Sequence, residues 1–167
     1  TYGVFGETPV EKLYLDGGMN DLTITNTKLV SQLGTLPLKY QPGTVWEYGR
    51  STDVLGRLIE VVSGQTLGEF FQTRIFRPLG MVDSAFHVAP GKLSRLAEPH
   101  PGDREGLILK YIDVTSPPSF EAGGQGLTST ATDYARFLQM MLNGGELDGV
   151  RLLGSKTVEL MTQDHVG

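Results

Sequence analysis

The sequence has no cysteine, which removes disulfides, thiol nucleophiles and cysteine-bound metals together. It has no basic run either: 14 Lys and Arg stand against 19 Asp and Glu, for a formal net charge of -5. A nucleic-acid partner is not expected, because binding phosphates takes clustered cations. No apolar run approaches the roughly 20 residues of a membrane-spanning helix. The opening stretch, TYGVFGETPVEK, has neither the charged n-region nor the h-region of a secretory leader, so none is expected there. The compartment stays open, cytoplasmic or periplasmic.

Self-contained catalytic signatures are also missing. There is no G-x-S-x-G elbow, no GxGxxG after a strand, no phosphate-binding loop and no HExxH. The three histidines, His87, His100 and His165, lie far apart with no partner at metal spacing, so they read as surface or satisfied core residues and no metal is expected. No cofactor is expected either. Asp113 and Glu121 could meet in space, but scattered carboxylates read first as solvated surface.

What is present is a helical pattern in ordinary globular composition, 39% apolar and 20% charged, with glycine frequent at 22 residues. The length suits one domain. Thr8 and Pro9 predict a helix to Leu15, stopped by Gly17-Gly18. A second is expected from about Thr25 to Leu33. Residues 35 to 50 read as loop. Val54, Leu55, Leu58, Ile59 and Val62 recur at helical spacing, with Ser51, Thr52 or Asp53 as cap and Gly64 as a left-handed stop. Thr66 and Glu69 have capping-box spacing for a helix that Pro78 ends. LILKYIDV, 107 to 114, is the best strand candidate. A helix follows Thr130, with Ala135, Leu138, Met141 and Leu142 as its expected buried face and Asn143-Gly144 as its end. GVRLLG reads as extended, and a last helix is expected with Ser155 as cap. The expected fold class is mainly α, α+β overall, with little strand.

One local feature calls for explanation. In QPGTVWEYGRSTDVLG a Pro-Gly turn leads to Trp46 and Tyr48, directly ahead of an apolar helix. Tyr48 either packs there or does chemistry there. A tyrosine acts as a base only beside a cation that stabilises its phenolate. WEYGRS supplies no lysine, and Arg50 is the only adjacent cation. From these residues alone both readings stand.

The stretch QPGTVWEYGRSTDVLGRLIEVVSGQTLGEFFQTRIFRPLGM resembles the middle of serine hydrolases of the class C β-lactamase and penicillin-binding-protein superfamily. It is most similar to the β-lactamase-like carboxylesterases, family VIII. GGQGLTSTATDYARFLQMMLNGGELDGVRLLGSKTVELM resembles the same family further along. The resemblance implies acyl transfer: a serine in Ser-x-x-Lys attacks an ester or amide carbonyl, and the lysine with a tyrosine moves its proton. On this chain it makes Tyr48 the motif tyrosine, with the motif lysine as its cation. It places Arg50 where the usual motif has Asn, and so implies contact with substrate but puts β-lactam turnover in doubt. It places Gln125 along the substrate cleft.

No Ser-x-x-Lys occurs in the 167 residues; Thr25-Asn26-Thr27-Lys28 lacks the serine and stands too close to Tyr48. The third family motif is missing as well, since His165-Val166-Gly167 closes a helix instead of lying on a strand. The resemblance therefore implies that 1–167 is a single segment, the central and mostly helical part of a larger hydrolase. Most of the family's antiparallel sheet would be missing, and helix faces that pack on the rest would be bare. The implied partners are a small ester or amide substrate and the remaining segments of the parent. Esterase, β-lactamase and peptidase activities stay open within this reading. A catalytically dead ligand-binding relative and an independent helical interaction module are the other two readings.

Overall fold

The computed structural model describes residues 8–97 and 112–165. Most of the helices begin or end at a residue suited to capping. Helix α1 spans Pro9–Asp16: Thr8 Oγ1 accepts from the Glu11 amide, and the Glu11 carboxylate accepts from the Thr8 amide in return. Helix α2, Asn26–Leu33, is capped by Thr25, whose hydroxyl accepts from Lys28 N–H. Helix α3, Ser51–Ser63, stops at Gly64, whose φ of 70° suits a residue without Cβ. Helix α4, Leu67–Phe71, starts from the Thr66–Glu69 capping box and widens into a π-helical turn over Gln72–Phe76, which ends two residues before Pro78. A 3-10 turn covers Pro90–Arg95.

Helix α5 runs Ala131–Leu142 from a Thr130 cap, a two-residue hairpin pairs β1 (Glu146–Leu147) with β2 (Val150–Arg151), and α6 spans Ser155–Met161. The hairpin turn is Asp148-Gly149, both at positive φ, which matches the twist of antiparallel strands. Among the described residues this hairpin is the only sheet. The fold of the described residues is thus mainly helical with a single two-stranded sheet, as expected.

Two apolar clusters hold it together. Tyr14, Met19, Ile24, Leu29 and Leu33 pack with Phe120 and Ala122, so the first two helices close on a segment almost a hundred residues later. Phe76, Leu79 and Met81 pack with Met140 of α5. Leu67, fully buried, sits against the Gly56 position of α3 and joins α3 to α4.

Three expectations change, and the less favoured pairing of Asp113 with Glu121 does not form. The N-cap of α3 is Arg50, with no side-chain cap; Asp53 bonds elsewhere, and its carboxylate is buried. Ser155 is the first residue of α6, not its cap, because Gly154 takes that place. Asp113 and Glu121 do not pair: Asp113 accepts from Thr115, whereas Glu121 accepts from the Gly68 amide. The buried face of α5 is rotated: Met140 is buried and Phe137 and Met141 are partly buried, whereas Ala135, Leu138 and Leu142 face outward. The helix carries two apolar stripes, and Phe76, Leu79 and Met81 cover only one. Most of the expected strand at 107–114 lies outside the described residues; Ile112 to Val114 form none.

The uncovered stripes are extensive. Tyr134, Leu138 and Leu142 recur every four residues on α5, and Leu55, Leu58, Val61 and Val62 line α3, all more than a third exposed. Bare apolar helix faces of this size mark surfaces that normally meet something.

Candidate active-site cleft

The Tyr48 loop is fixed on both sides of the tyrosine. On the N-terminal side the Gln41–Thr44 turn is closed by a Thr44 N–H to Gln41 O bond of 3.3 Å, with Gly43 at φ 80°. Next to Tyr48, Glu47 accepts from Lys39 Nζ at 2.6 Å, and the same ammonium donates to Glu11 at 2.6 Å. This cation between two carboxylates ties the loop to α1. The Lys39 ammonium, then the Thr8 hydroxyl and amide, hold the Glu11 carboxyl down at about 2. Glu11, then Glu47, raise the Lys39 ammonium.

On the C-terminal side Arg50 is nine-tenths buried. Its Nη2 donates to Met19 O at 2.6 Å and to Asn20 Oδ1 at 3.0 Å, and its Nη1 reaches Asp53 Oδ2 at 3.3 Å. The other Asp53 oxygen accepts from the Gly124 amide at 3.1 Å, across 71 residues of sequence. Only Arg50 Nε, also buried, lacks a partner in this network.

Residues 121–125 are stitched along the helices. Asn26 Nδ2 donates to Glu121 O at 2.9 Å and to Glu60 at 2.8 Å, and Glu121 accepts from Gly68 N–H at 2.8 Å. Gly123 lies flush on the start of α3, where a Cβ would stand 2.0 Å from Thr52 O. Glycine permits this approach of backbone to backbone.

These contacts frame an open cleft of about 1100 Å³. Tyr48, Arg50 and Gln125 all line it, together with Trp46, Asn20 and Gly124. The three residues singled out in the sequence are therefore gathered from two distant stretches. Tyr48 and Trp46 are its exposed aromatics, at 61% and 70%, whereas Arg50 is buried. Sequence reasoning did not identify Lys39, Asn20, Asp53 or Gly123 as parts of this frame. Asp53 has one partner three residues away, Arg50, but the other contacts span 8 to 71 residues, and no local spacing signals those.

A smaller cavity of about 440 Å³ lies apart from the cleft and is lined by Asp83, His87, Lys92, Arg95 and Ser129, among others. Lys92, then Arg95, lower the Asp83 carboxyl. Ser84 is held by Asp133 at 2.8 Å and Ser129 at 2.7 Å, a buried link between α5 and the turn after the π-helix. Of the remaining histidines, His165 contacts Leu160 O at 2.6 Å at the end of α6, and His100 lies outside the described residues. Among the described residues no helix is long and apolar enough to cross a membrane.

Residues 9–167 match a family model described as Beta-lactamase. The uncharacterized protein MT1414 of Mycobacterium tuberculosis (strain CDC 1551 / Oshkosh) is 36% identical over 140 residues, 82% of this chain and 35% of that protein. The lovastatin esterase of Penicillium rubens is 38% identical over 146 residues, 84% of this chain and 36% of that protein. The unliganded structure of simvastatin synthase (LovD) from Aspergillus terreus superposes with a TM-score of 0.67 at 26% identity, covering 99% of this chain and 41% of that one. The chain thus spans little more than a third of the two curated relatives.

Proposed function

Since the chain belongs to the Beta-lactamase family, we propose that it is the central portion of a serine hydrolase that cleaves small esters through an acyl-enzyme. Tyr48 is the proton-transferring residue of that reaction. The observation that carries this reading is the convergence of Tyr48, Arg50 and Gln125 on one cleft, with Tyr48 exposed in it and its loop fixed on both flanks. A group that moves a proton must stay within hydrogen-bond reach of the attacking and leaving atoms, and fixed flanks supply that constancy. The nucleophilic serine and the motif lysine come from the part of the hydrolase outside these 167 residues. They enter from the open side of the cleft, and the bare stripes of α3 and α5 pack against that remainder.

In the reaction the serine hydroxyl adds to the ester carbonyl as its proton passes to the lysine–tyrosine pair. The pair returns the proton to the departing alkoxide, and water then repeats the sequence on the acyl-serine. Gln125 walls the acyl group. An esterase is favoured over a β-lactamase by Arg50 at the motif's usual Asn, and by an esterase among the relatives.

The test is Tyr48→Phe in the complete hydrolase, assayed with a p-nitrophenyl ester. Loss of a general base lowers turnover by about 10² to 10⁴. A near-normal rate refutes the assignment. The 167-residue chain alone is expected to be inactive, unlabelled by a fluorophosphonate and prone to self-association through its bare stripes. A stable, monomeric, two-state 18.2 kDa species speaks against the segment reading.

A further inference from the structure

We propose that Arg50 and Asp53 act as a positioning clasp for Tyr48 and not as contacts for substrate; this rests on the hydrolase reading above. Arg50 is two residues from Tyr48 and lines the same cleft, yet its guanidinium is turned into the protein. Nη2 is engaged by Met19 O and Asn20 Oδ1, and Nη1 by Asp53. Its charge is matched by that carboxylate, so the cleft wall gains no net positive charge with which to hold a substrate anion.

The clasp joins three pieces of chain that meet nowhere in the sequence. Residues 19–20 receive Nη2, the first turn of α3 supplies Asp53, and Gly124 donates its amide to the far oxygen of Asp53. Gln125 follows Gly124 directly and lines the cleft with Tyr48. One ion pair therefore sets both the end of the tyrosine loop and the wall bearing Gln125. Only a planar, forked cation can serve Met19 O, Asn20 Oδ1 and Asp53 together; an ammonium at the end of a flexible stem is a single point. Gly123, flush on Thr52 O, leaves this wall no room to move inward, so loosening the clasp displaces it outward.

The experiment uses the complete hydrolase with Arg50→Lys, Asp53→Asn and the double variant. Active sites are counted with a fluorophosphonate so that kcat refers to folded, labelled enzyme. A displacement of about 1 Å at a reacting group costs about 10² in rate. The expected result is a drop of about that size in kcat per labelled site, with KM for an uncharged ester nearly unchanged. The limb of the pH–rate profile set by the lysine–tyrosine pair should shift. The double variant should lose no more than either single one, because the two side chains act as a unit. Leu67→Val, a core variant, should lower Tm and leave kcat per labelled site intact.

Unchanged kcat per site, additive losses, or a rise in KM confined to anionic esters overturns the clasp. Should the variants fail to fold, amide exchange in the unsubstituted hydrolase decides: the Gly124 amide is expected to exchange slowly, and exchange at the rate of an open loop refutes the clasp. Failure of the unsubstituted enzyme to label refutes the hydrolase reading itself and takes the clasp's catalytic role with it. That result is distinct from labelling with unaltered kcat, which refutes the clasp alone.

Discussion

Adding one methyl group at Gly123 should be among the most damaging single changes in this region. The glycine rests on the carbonyl that opens α3, and a Cβ there would lie 2.0 Å from Thr52 O and 3.2 Å from Asp53 Cα. Carbon–oxygen contacts settle at about 3.3 Å or more, so against the observed 2.0 Å the shortfall is roughly 1.3 Å. Neither side can swing away, since both are backbone. Residues 121–125 must lift off the helix, and that breaks the Gly124–Asp53 and Asn26–Glu121 hydrogen bonds. A bond to a charged group contributes about 1.5–3 kcal/mol and a neutral one about 1 kcal/mol, so Gly123→Ala should cost roughly 2.5–4 kcal/mol. Gly43→Ala is the control. Nothing lies within 4 Å of that Cβ, and only its φ of 80° opposes the change. Its cost should be about 1–2 kcal/mol. The assay is urea unfolding of the complete hydrolase, comparing midpoints at equal slope. A loss at Gly123 no larger than at Gly43 refutes the close approach and the wall position built on it.

Other outcomes follow from single contacts. Leu67 has no exposed surface, and Leu67→Ala should lose about 2–5 kcal/mol in the same unfolding assay. Thr66→Ala removes the hydroxyl that caps α4 and should cost about 1 kcal/mol. Glu11 has its carboxyl lowered from 4.5 to about 2 in the folded state. Its stabilising contribution is therefore complete above about pH 4.5 and is lost as pH falls toward 2. Glu11→Gln should flatten this acid limb in a plot of Tm against pH, and an unaltered limb would show that the Lys39 contact does not form. Val62→Glu lies on the bare stripe of α3. It should raise the solubility of the 167-residue chain and destabilise the complete hydrolase; improvement in both would refute packing of α3 against the remainder.

Much of the secondary structure was legible because helix ends are local chemistry. Thr8 with Glu11, Thr25, Thr66 with Glu69, Thr130 and Gly64 each act within four residues, and all fall where the sequence puts them. Ser51, Thr52 and Asp53 lie inside the first turn of α3 instead of capping it, and the Asp53 carboxylate answers to Arg50, three residues before it, and to Gly124, 71 residues after it. Tyr48, Arg50 and Gln125 were found through resemblance, not spacing, and the frame around them stayed hidden because its partners are remote in sequence.

The misread face of α5 and the open cleft have one explanation. Periodicity reports that a stripe is apolar, not what covers it. On α5 the sequence shows Ala135, Leu138, Met141 and Leu142 at helical spacing, and of these only Met141 meets the core, beside buried Met140. Leu138 and Leu142 join Tyr134 in a second stripe, and α3 carries its own in Leu55, Leu58 and Val62. A helix apolar on two sides is suited to lie between two layers. The layer observed here covers one side. The other side of both helices, like the unfilled side of the cleft at Tyr48, is left facing outward. The bare stripes thus call for a neighbour that buries the helices, and under the proposed function that same neighbour brings the nucleophile to Tyr48.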